Sequence, residues 1–140
     1  MGPGFAFAKV EKYQVQHELS LMARDPEYLK ILNEMVKLNV RRPIDQWAHR
    51  YIEKFMTLMA APATRRGHGR VLTQVAQHFG GRINPEDRPE LLGLIDRYRS
   101  GHLPRMVPIV MIRHHLRYFP DDYFGRQVYL RPHPDEWIVR

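Results

Sequence analysis

Apolar residues recur at helical spacing along most of the chain, and proline and glycine separate the repeats. The pattern is clearest at Trp47, Tyr51, Phe55 and Leu58, which recur every three or four residues and so share one helical face. No segment shows the clear alternation of apolar and polar residues that marks a half-buried strand. The pattern therefore predicts an all-α fold, a single compact bundle of about six helices.

Proline, glycine and capping residues place the ends of these helices. Asp25-Pro26 and Asn84-Pro85 are typical of helix starts, and Gly101 is typical of a helix stop. We expect an extended tail beyond the last helix, from about residue 127 to the C-terminus. The six predicted helices cover about residues 8–24, 26–40, 45–58, 64–79, 86–100 and 105–118.

The fourth predicted helix separates apolar from polar residues. Val71, Leu72, Val75 and Phe79 share one face, which we expect to be buried, and arginine and glutamine lie on the opposite face. Pro62-Ala63-Thr64 introduces this helix. Gly67 and Gly69 weaken its first turns, so the start is open to interpretation as a loop.

The sixth predicted helix is apolar on two sides, which is typical of a central, buried helix. His114 shares one of those sides with Val107 and Val110, so we interpret it as a core histidine rather than a ligand. Arg113 and Arg117 lie one turn apart on the narrow edge that remains.

Length and composition limit the class of protein. The 140 residues are enough for one domain, and we assign 1–140 to it, with 1–7 set aside as a possible expression tag. Cysteine is absent, which excludes disulfides, thiolate nucleophiles and iron–sulfur ligation by this chain. The chain has no apolar run long enough for a membrane span and no signal-peptide pattern, so we expect no membrane association and a cytoplasmic location.

Charge is the first feature that suggests a partner. The chain has 22 Lys plus Arg against 15 Asp plus Glu, and a net charge of +7. All basic residues from position 62 onward are arginine, and no acid occurs between Glu53 and Glu86 or between Asp96 and Asp121. Arginine suits phosphate recognition because its planar guanidinium donates two parallel hydrogen bonds. An ordinary solvated basic face is the alternative interpretation.

The start of the fourth helix carries the first candidate site. Arg65, Arg66, His68 and Arg70 follow Thr64 there, and a helix N-terminus with arginine side chains can bind phosphate groups. The alternative is an N-cap by Thr64 with arginines that face solvent.

Arg113 and Arg117 form the second candidate site. The alternative for these two is ion pairing with Asp121 or Asp122. Aromatic residues lie among the arginines from position 62 onward, an arrangement that suits stacking on unpaired bases. We nevertheless expect Tyr98 and Tyr129 to be core residues.

Catalysis and metal binding receive little support. The neighbours His114 and His115 point about 100° apart on a helix, so they do not easily share a metal ion with Asp121 and Asp122. His68 and His78 have no nearby nucleophile or carboxylate in their segment. We therefore predict that the chain is not an enzyme and holds no cofactor or metal. A small hydrolase built on His68 or on residues 114–122 is the weakest alternative.

From Thr64 onward the sequence resembles the YbgA-like domain family of bacteria. The resemblance covers about the last 77 residues and is thinner before them, where it rests on His17 and Tyr51. The order of its motifs is specific, because ordered motifs at fixed spacing rarely coincide by chance. The residues that carry it are Thr64-Arg65-Arg66, His68, Val71-Leu72, Phe79, Leu91, Ile95, Tyr98-Arg99-Ser100-Gly101, Pro104, Val107-Pro108, His114, Leu116, Pro120, Tyr123, Gln127-Val128-Tyr129-Leu130, Pro132 and Pro134.

The resemblance implies a function. Members of this family occur alone or fused behind an iron–sulfur desulfidase-type domain, which removes sulfur from 4-thiouridine in tRNA. In the fusions the YbgA-like domain holds the tRNA. This implies a non-catalytic RNA-binding domain with tRNA as its ligand. A protein–protein adaptor that docks on a desulfidase-type or other enzyme through its basic face is the alternative.

Four positions depart from the family pattern. Arg70 stands where the family has Asn, Gln74 stands where it has His, and Gln77-His78 stands where it has Gly-Tyr. All four lie on the fourth predicted helix. They put in question whether this chain binds the same ligand as its relatives.

Overall fold

The structure, a computed structural model, describes residues 3–38, 44–79 and 81–131, with side chains for residues 8–38, 45–79 and 81–131. It confirms the all-α class: these ranges contain eight α-helices, one short 3-10 helix and no strand. The count exceeds the predicted six because the first predicted helix is two helices and a short helix follows the sixth. The tail predicted to be extended from about residue 127 is helical at 128–130, and its part from residue 132 onward lies outside the described residues. The α-helices are α1 (Pro3–Gln16), α2 (Glu18–Arg24), α3 (Pro26–Lys37), α4 (Ile44–Ala60), α5 (Arg65–Phe79), α6 (Asp87–Arg99), α7 (Met106–Tyr118) and α8 (Asp122–Gly125), and the 3-10 helix is Val128–Leu130.

The first predicted helix breaks at His17, so the prediction of one continuous helix is wrong. The side chain of Gln127, which is fully buried, bridges the break. Its Oε1 accepts a hydrogen bond from Leu19 N at 3.1 Å, and its Nε2 donates to Val15 O at 2.6 Å. These bonds satisfy backbone groups that the interrupted helix leaves without a helical partner.

Three of the predicted helix ends are confirmed. Asp25 caps α3 by accepting hydrogen bonds from Glu27 N and Tyr28 N, with Pro26 at the first position of the helix. Thr64 Oγ1 accepts from Gly67 N at 3.0 Å at the start of α5. Gly101, with φ of 84°, follows the end of α6 in the left-handed conformation that favours glycine.

The start of α5 is helical despite its two glycines, because both are sites of close packing. A Cβ on Gly67 would overlap the carbonyl oxygen of Ala23 in α2, and a Cβ on Gly69 would lie 2.7 Å from Arg99 Cγ in α6. The missing side chains therefore allow α2 and α6 to approach α5 closely. In contrast, α6 begins later than expected, at Asp87, after a turn at 84–86.

The core consists of two apolar clusters that share the partly buried Met22. The first joins α2 to α5, α6, α7, α8 and the 3-10 helix, and it contains the predicted face of α5. The second joins α2, α3 and α4, and it contains the predicted stripe on α4. Tyr98 and Tyr129 are both buried, as expected.

The expectation for α7 is partly wrong. Its buried side contains Ile109, Ile112 and His115, whereas Val110 is 45% exposed and His114 is exposed. The histidine in the core is therefore His115 and not His114. The physical reason is that α7 packs against α5, α6 and the 3-10 helix, and its second apolar side has less cover.

Three of the seven tyrosines, Tyr51, Tyr123 and Tyr129, are expected to titrate late in alkali. Burial raises the pKa of each phenol above its usual value near 10. The folded state therefore keeps protons that the unfolded state releases, and stability is expected to fall as the pH rises above about 10. Tyrosinate absorbance against pH, recorded with circular dichroism, should show this late group ionising together with unfolding. A single reversible step for all seven near pH 10 would contradict it.

Candidate functional site

Helices α5 and α7 lie side by side and run in the same direction. His68, near the start of α5, contacts Arg105, which directly precedes α7. At the other end, the rings of Phe79 and His115 lie 6.4 Å apart. The candidate arginines therefore fall into two groups, one at the start of this helix pair and one at its end.

The first group consists of Arg65 and Arg66, and both side chains are exposed. The guanidinium carbon of Arg65 lies 5.9 Å from the centre of the Tyr98 ring, a distance suited to a cation–π interaction. Arg66 forms no hydrogen bond or ion pair with any side chain in the described ranges. Thr64 caps the helix, as the alternative interpretation of this site predicts. The two exposed arginines beside it are nevertheless accessible to a phosphate group.

His68 is part of a half-buried cluster with Arg105 and Tyr129. His68 Nδ1 and the Tyr129 hydroxyl lie 2.7 Å apart, and Arg105 Nη1 lies 3.1 Å from the imidazole nitrogens. The guanidinium carbon of Arg105 is 5.6 Å from the centre of the Tyr129 ring. Burial raises the pKa of the Tyr129 phenol even though Arg105 lowers it, so the ring is a neutral platform that holds His68 and Arg105 in place.

Arg70 differs from the other predicted site residues because its side chain is half-buried. Its Nη2 donates a hydrogen bond to Met22 O at 3.2 Å, near the C-terminal end of α2. Its Nε is buried and has no hydrogen-bond partner among the described residues. The structure therefore places the Arg70 side chain against α2, whereas the Arg66 side chain, one helical turn earlier, is exposed.

The second group surrounds a surface depression of about 280 Å³. We call this depression the cup. Arg113 and Arg117 line it from α7, and Arg131 lines it from the residue after the 3-10 helix. All three are exposed, and none forms an ion pair with a described residue. The complete lining is Arg113, Leu116, Arg117, Pro120, Asp121, Phe124, Gly125, Leu130 and Arg131.

The carboxylate of Asp121 also lines the cup, but it is already engaged. It accepts hydrogen bonds from His78 Nε2 at 3.0 Å, Arg82 Nη1 at 3.1 Å and Phe124 N at 2.9 Å. Burial alone would raise the pKa of Asp121, but these three neighbours together lower it. The predicted alternative, a pair between Asp121 and Arg113 or Arg117, does not occur among the described contacts.

The 3-10 helix joins the two arginine groups. Tyr129 contacts His68 and Arg105, while the next two residues, Leu130 and Arg131, line the cup. From residue 105 to residue 117, α7 advances about 18 Å at 1.5 Å per residue. We call the combined set the arginine surface, and its members are Arg65, Arg66, Arg105, Arg113, Arg117 and Arg131.

Two members of the arginine surface, Arg105 and Arg131, were missing from the predicted site. Arg105 directly follows Pro104, and Arg131 directly follows Leu130. Pro104 and Leu130 belong to the family motifs, so adjacency to a motif is the sequence feature that could have identified the two arginines. The departures Gln74, Gln77 and His78 are exposed on α5, and His78 is bonded to Asp121.

No group of three or more metal-ligating side chains occurs in the part of the chain that the structure describes. His114 is exposed and His115 is buried, so the two rings lie in different environments. None of the described helices is long and apolar enough to cross a membrane.

Comparison with known proteins gives one family and one relative. Residues 19–134 match the family described as "Protein of unknown function (DUF1722)". The chain is 29% identical over 123 residues to the "Uncharacterized protein YbgA" of Escherichia coli (strain K12), covering 87% of this chain and 73% of that protein. No solved structure matches the chain.

Proposed function

We propose that this chain, which belongs to the DUF1722 family in agreement with its YbgA-like motifs, is a non-catalytic RNA-binding domain whose ligand is tRNA. The observation that carries the proposal is the arginine surface. Five of its six side chains are exposed, and the sixth, Arg105, is held against Tyr129. Exposed guanidinium groups without acidic partners are suited to bind phosphates.

The dimensions of the arginine surface fit a nucleic acid. Double-stranded DNA carries one phosphate charge for about every 1.7 Å of its axis, so 18 Å of a duplex presents about ten charges. The five exposed arginines on this scale can engage several phosphates at once. Arg65 lies at the start of the helix pair and Arg113 lies toward its end, so a ligand that binds both has to follow the surface for some distance.

The role within tRNA metabolism follows from the family resemblance. The proposed domain holds tRNA during removal of sulfur from 4-thiouridine. The chain has no cysteine and therefore supplies no thiolate ligand for an iron–sulfur cluster. The desulfidase chemistry then belongs to a partner enzyme, and this chain contributes substrate binding.

Substitution of Arg65 and Arg66 by alanine tests the proposal. The double variant is expected to bind tRNA at least about a hundredfold more weakly, because each charge-assisted phosphate contact contributes about 1.5–3 kcal/mol and two are lost. It should also reduce the dependence of log affinity on log salt by about two, one for each lost contact. Fluorescence anisotropy with labelled tRNA at several salt concentrations measures both quantities.

The matched control removes two basic side chains, Arg50 and Lys54, from α4. Both are exposed, and they lie beside the second apolar cluster, away from the arginine surface. Arg50→Ala with Lys54→Ala should change tRNA affinity little, although the net charge falls by the same amount. Equal losses in both double variants would contradict a localised surface. Absence of tRNA binding in the parent protein would favour the adaptor alternative, which predicts a specific protein complex instead.

A further inference from the structure

The floor of the cup is apolar. Leu116, Phe124 and Leu130 line it, and Phe124 and Leu130 are 7% and 1% exposed. The floor therefore belongs to the packed core and keeps its shape without a ligand. An apolar surface of this kind is suited to the flat face of a ring and not to a phosphate.

Basic side chains from two segments form the rim of the cup. Arg113 and Arg117 lie one helical turn apart on α7, and Arg131 approaches from the segment after the 3-10 helix. Asp121 does not cancel these charges, because His78 and Arg82 already bind its carboxylate. Guanidinium groups in this position can donate to phosphate oxygens and stack beside a base.

The volume of the cup limits its occupant. About 280 Å³ lies near the lower end of the roughly 300–1,000 Å³ found for small-molecule sites. A depression of this size has room for one nucleotide, whereas a duplex needs an extended surface. We propose that the cup binds one unpaired nucleotide of the RNA, with its base on the apolar floor and its phosphate at Arg113, Arg117 and Arg131.

This inference rests on the proposed function and gives it a substrate class, RNA with an accessible single-stranded nucleotide. Every base has a flat π-face, so stacking on the floor is tolerant of sequence. The rest of the arginine surface would bind the neighbouring backbone. The contribution of the floor and that of the arginines can be measured separately, because the floor recognises an unpaired base and the arginines recognise the charge of the phosphates.

A variant that fills the cup without changing its charge tests the inference. Gly125 lines the cup, and a Cβ added there would meet nothing within 4 Å, so Gly125→Leu should be accommodated. Gly93→Leu on α6 is the matched control, since a Cβ there also meets nothing within 4 Å and the residue does not line the cup. Melting curves of both variants establish that they are folded.

The ligands are a blunt RNA hairpin and the same hairpin with a short single-stranded uridine extension. We expect the parent protein and Gly93→Leu to bind the extended hairpin about tenfold more tightly, since the extension supplies an unpaired base that can stack on the floor of the cup. Gly125→Leu should lose this preference and keep its affinity for the blunt hairpin. Equal binding of the two hairpins by the parent protein would overturn the proposal that the cup binds an unpaired nucleotide, but would leave the proposal of RNA binding standing. No binding of either would overturn both.

Competition in the parent protein gives a second readout that does not depend on any variant. Uridine monophosphate should reduce the affinity for the extended hairpin to that for the blunt hairpin at concentrations where ribose phosphate does not, because ribose phosphate lacks the base. Equal competition by the two would identify the cup as an anion site and overturn the inference.

Discussion

Gly67→Ala is expected to destabilise the protein by about 3 kcal/mol, the upper part of the range for forced overpacking. The added Cβ would overlap the carbonyl oxygen of Ala23, which belongs to the backbone of α2 and cannot rotate away. Either α2 or α5 has to shift, and this separates the first apolar cluster at the point where the two helices meet. Thermal unfolding followed by circular dichroism should show a melting temperature about 10 °C lower.

Gly93→Ala is the control for this substitution. Gly93 also lies inside a helix, α6, but a Cβ there meets no atom within 4 Å. Because alanine has the higher helix propensity, this variant should be more stable by about 1 kcal/mol. If Gly67→Ala melted at or above the temperature of the parent protein, the close approach of α2 to α5 would be contradicted.

Gln127→Leu is expected to cost about 3 kcal/mol, because leucine can neither donate to Val15 O nor accept from Leu19 N. The amide of Leu19 would then be buried without a partner at the break between α1 and α2. The loss should appear in urea unfolding and in faster hydrogen exchange at the start of α2.

Two further variants separate the role of the bridge from the effect of the leucine itself. Gln74→Leu places the same side chain at an exposed position of α5 and should change stability by no more than about 0.5 kcal/mol. Gln127→Glu keeps an acceptor for Leu19 N, and its carboxyl, when protonated, can also donate to Val15 O. The stability of Gln127→Glu relative to the parent protein should therefore rise as the pH falls, whereas that of Gln127→Leu should not. A loss from Gln127→Leu no larger than the loss from Gln74→Leu would contradict the bridge.

Features that depend on neighbouring residues could be predicted from the sequence. The stripe on α4 and the caps at Asp25 and Thr64 are examples, because helical spacing and local hydrogen bonds determine them. The family was also predictable, since the order and spacing of its motifs lie in the sequence itself.

Features that depend on distant residues could not be predicted. The break at His17 is stabilised by Gln127, more than a hundred positions later in the chain. Helical periodicity reflects only residues that are close in sequence, so it cannot predict that contact. His114 and His115 are adjacent, so the buried one is determined by which side of α7 the other helices cover.

The candidate site shows the same division. Arg65, Arg66, Arg113 and Arg117 could be identified because they are arginines in segments without acids, and all four are exposed. Arg70 lies in the same kind of segment, but it is bound to a carbonyl of α2.

The measurement that tests the central proposal most directly is the salt dependence of tRNA binding, beside an equal-length duplex DNA. Between roughly 50 and 200 mM salt, tRNA affinity should fall about a hundred- to a thousandfold if the five exposed members of the arginine surface contact phosphates. tRNA should bind more tightly than the DNA throughout. Absence of any tRNA preference at the low-salt end would contradict the proposed function.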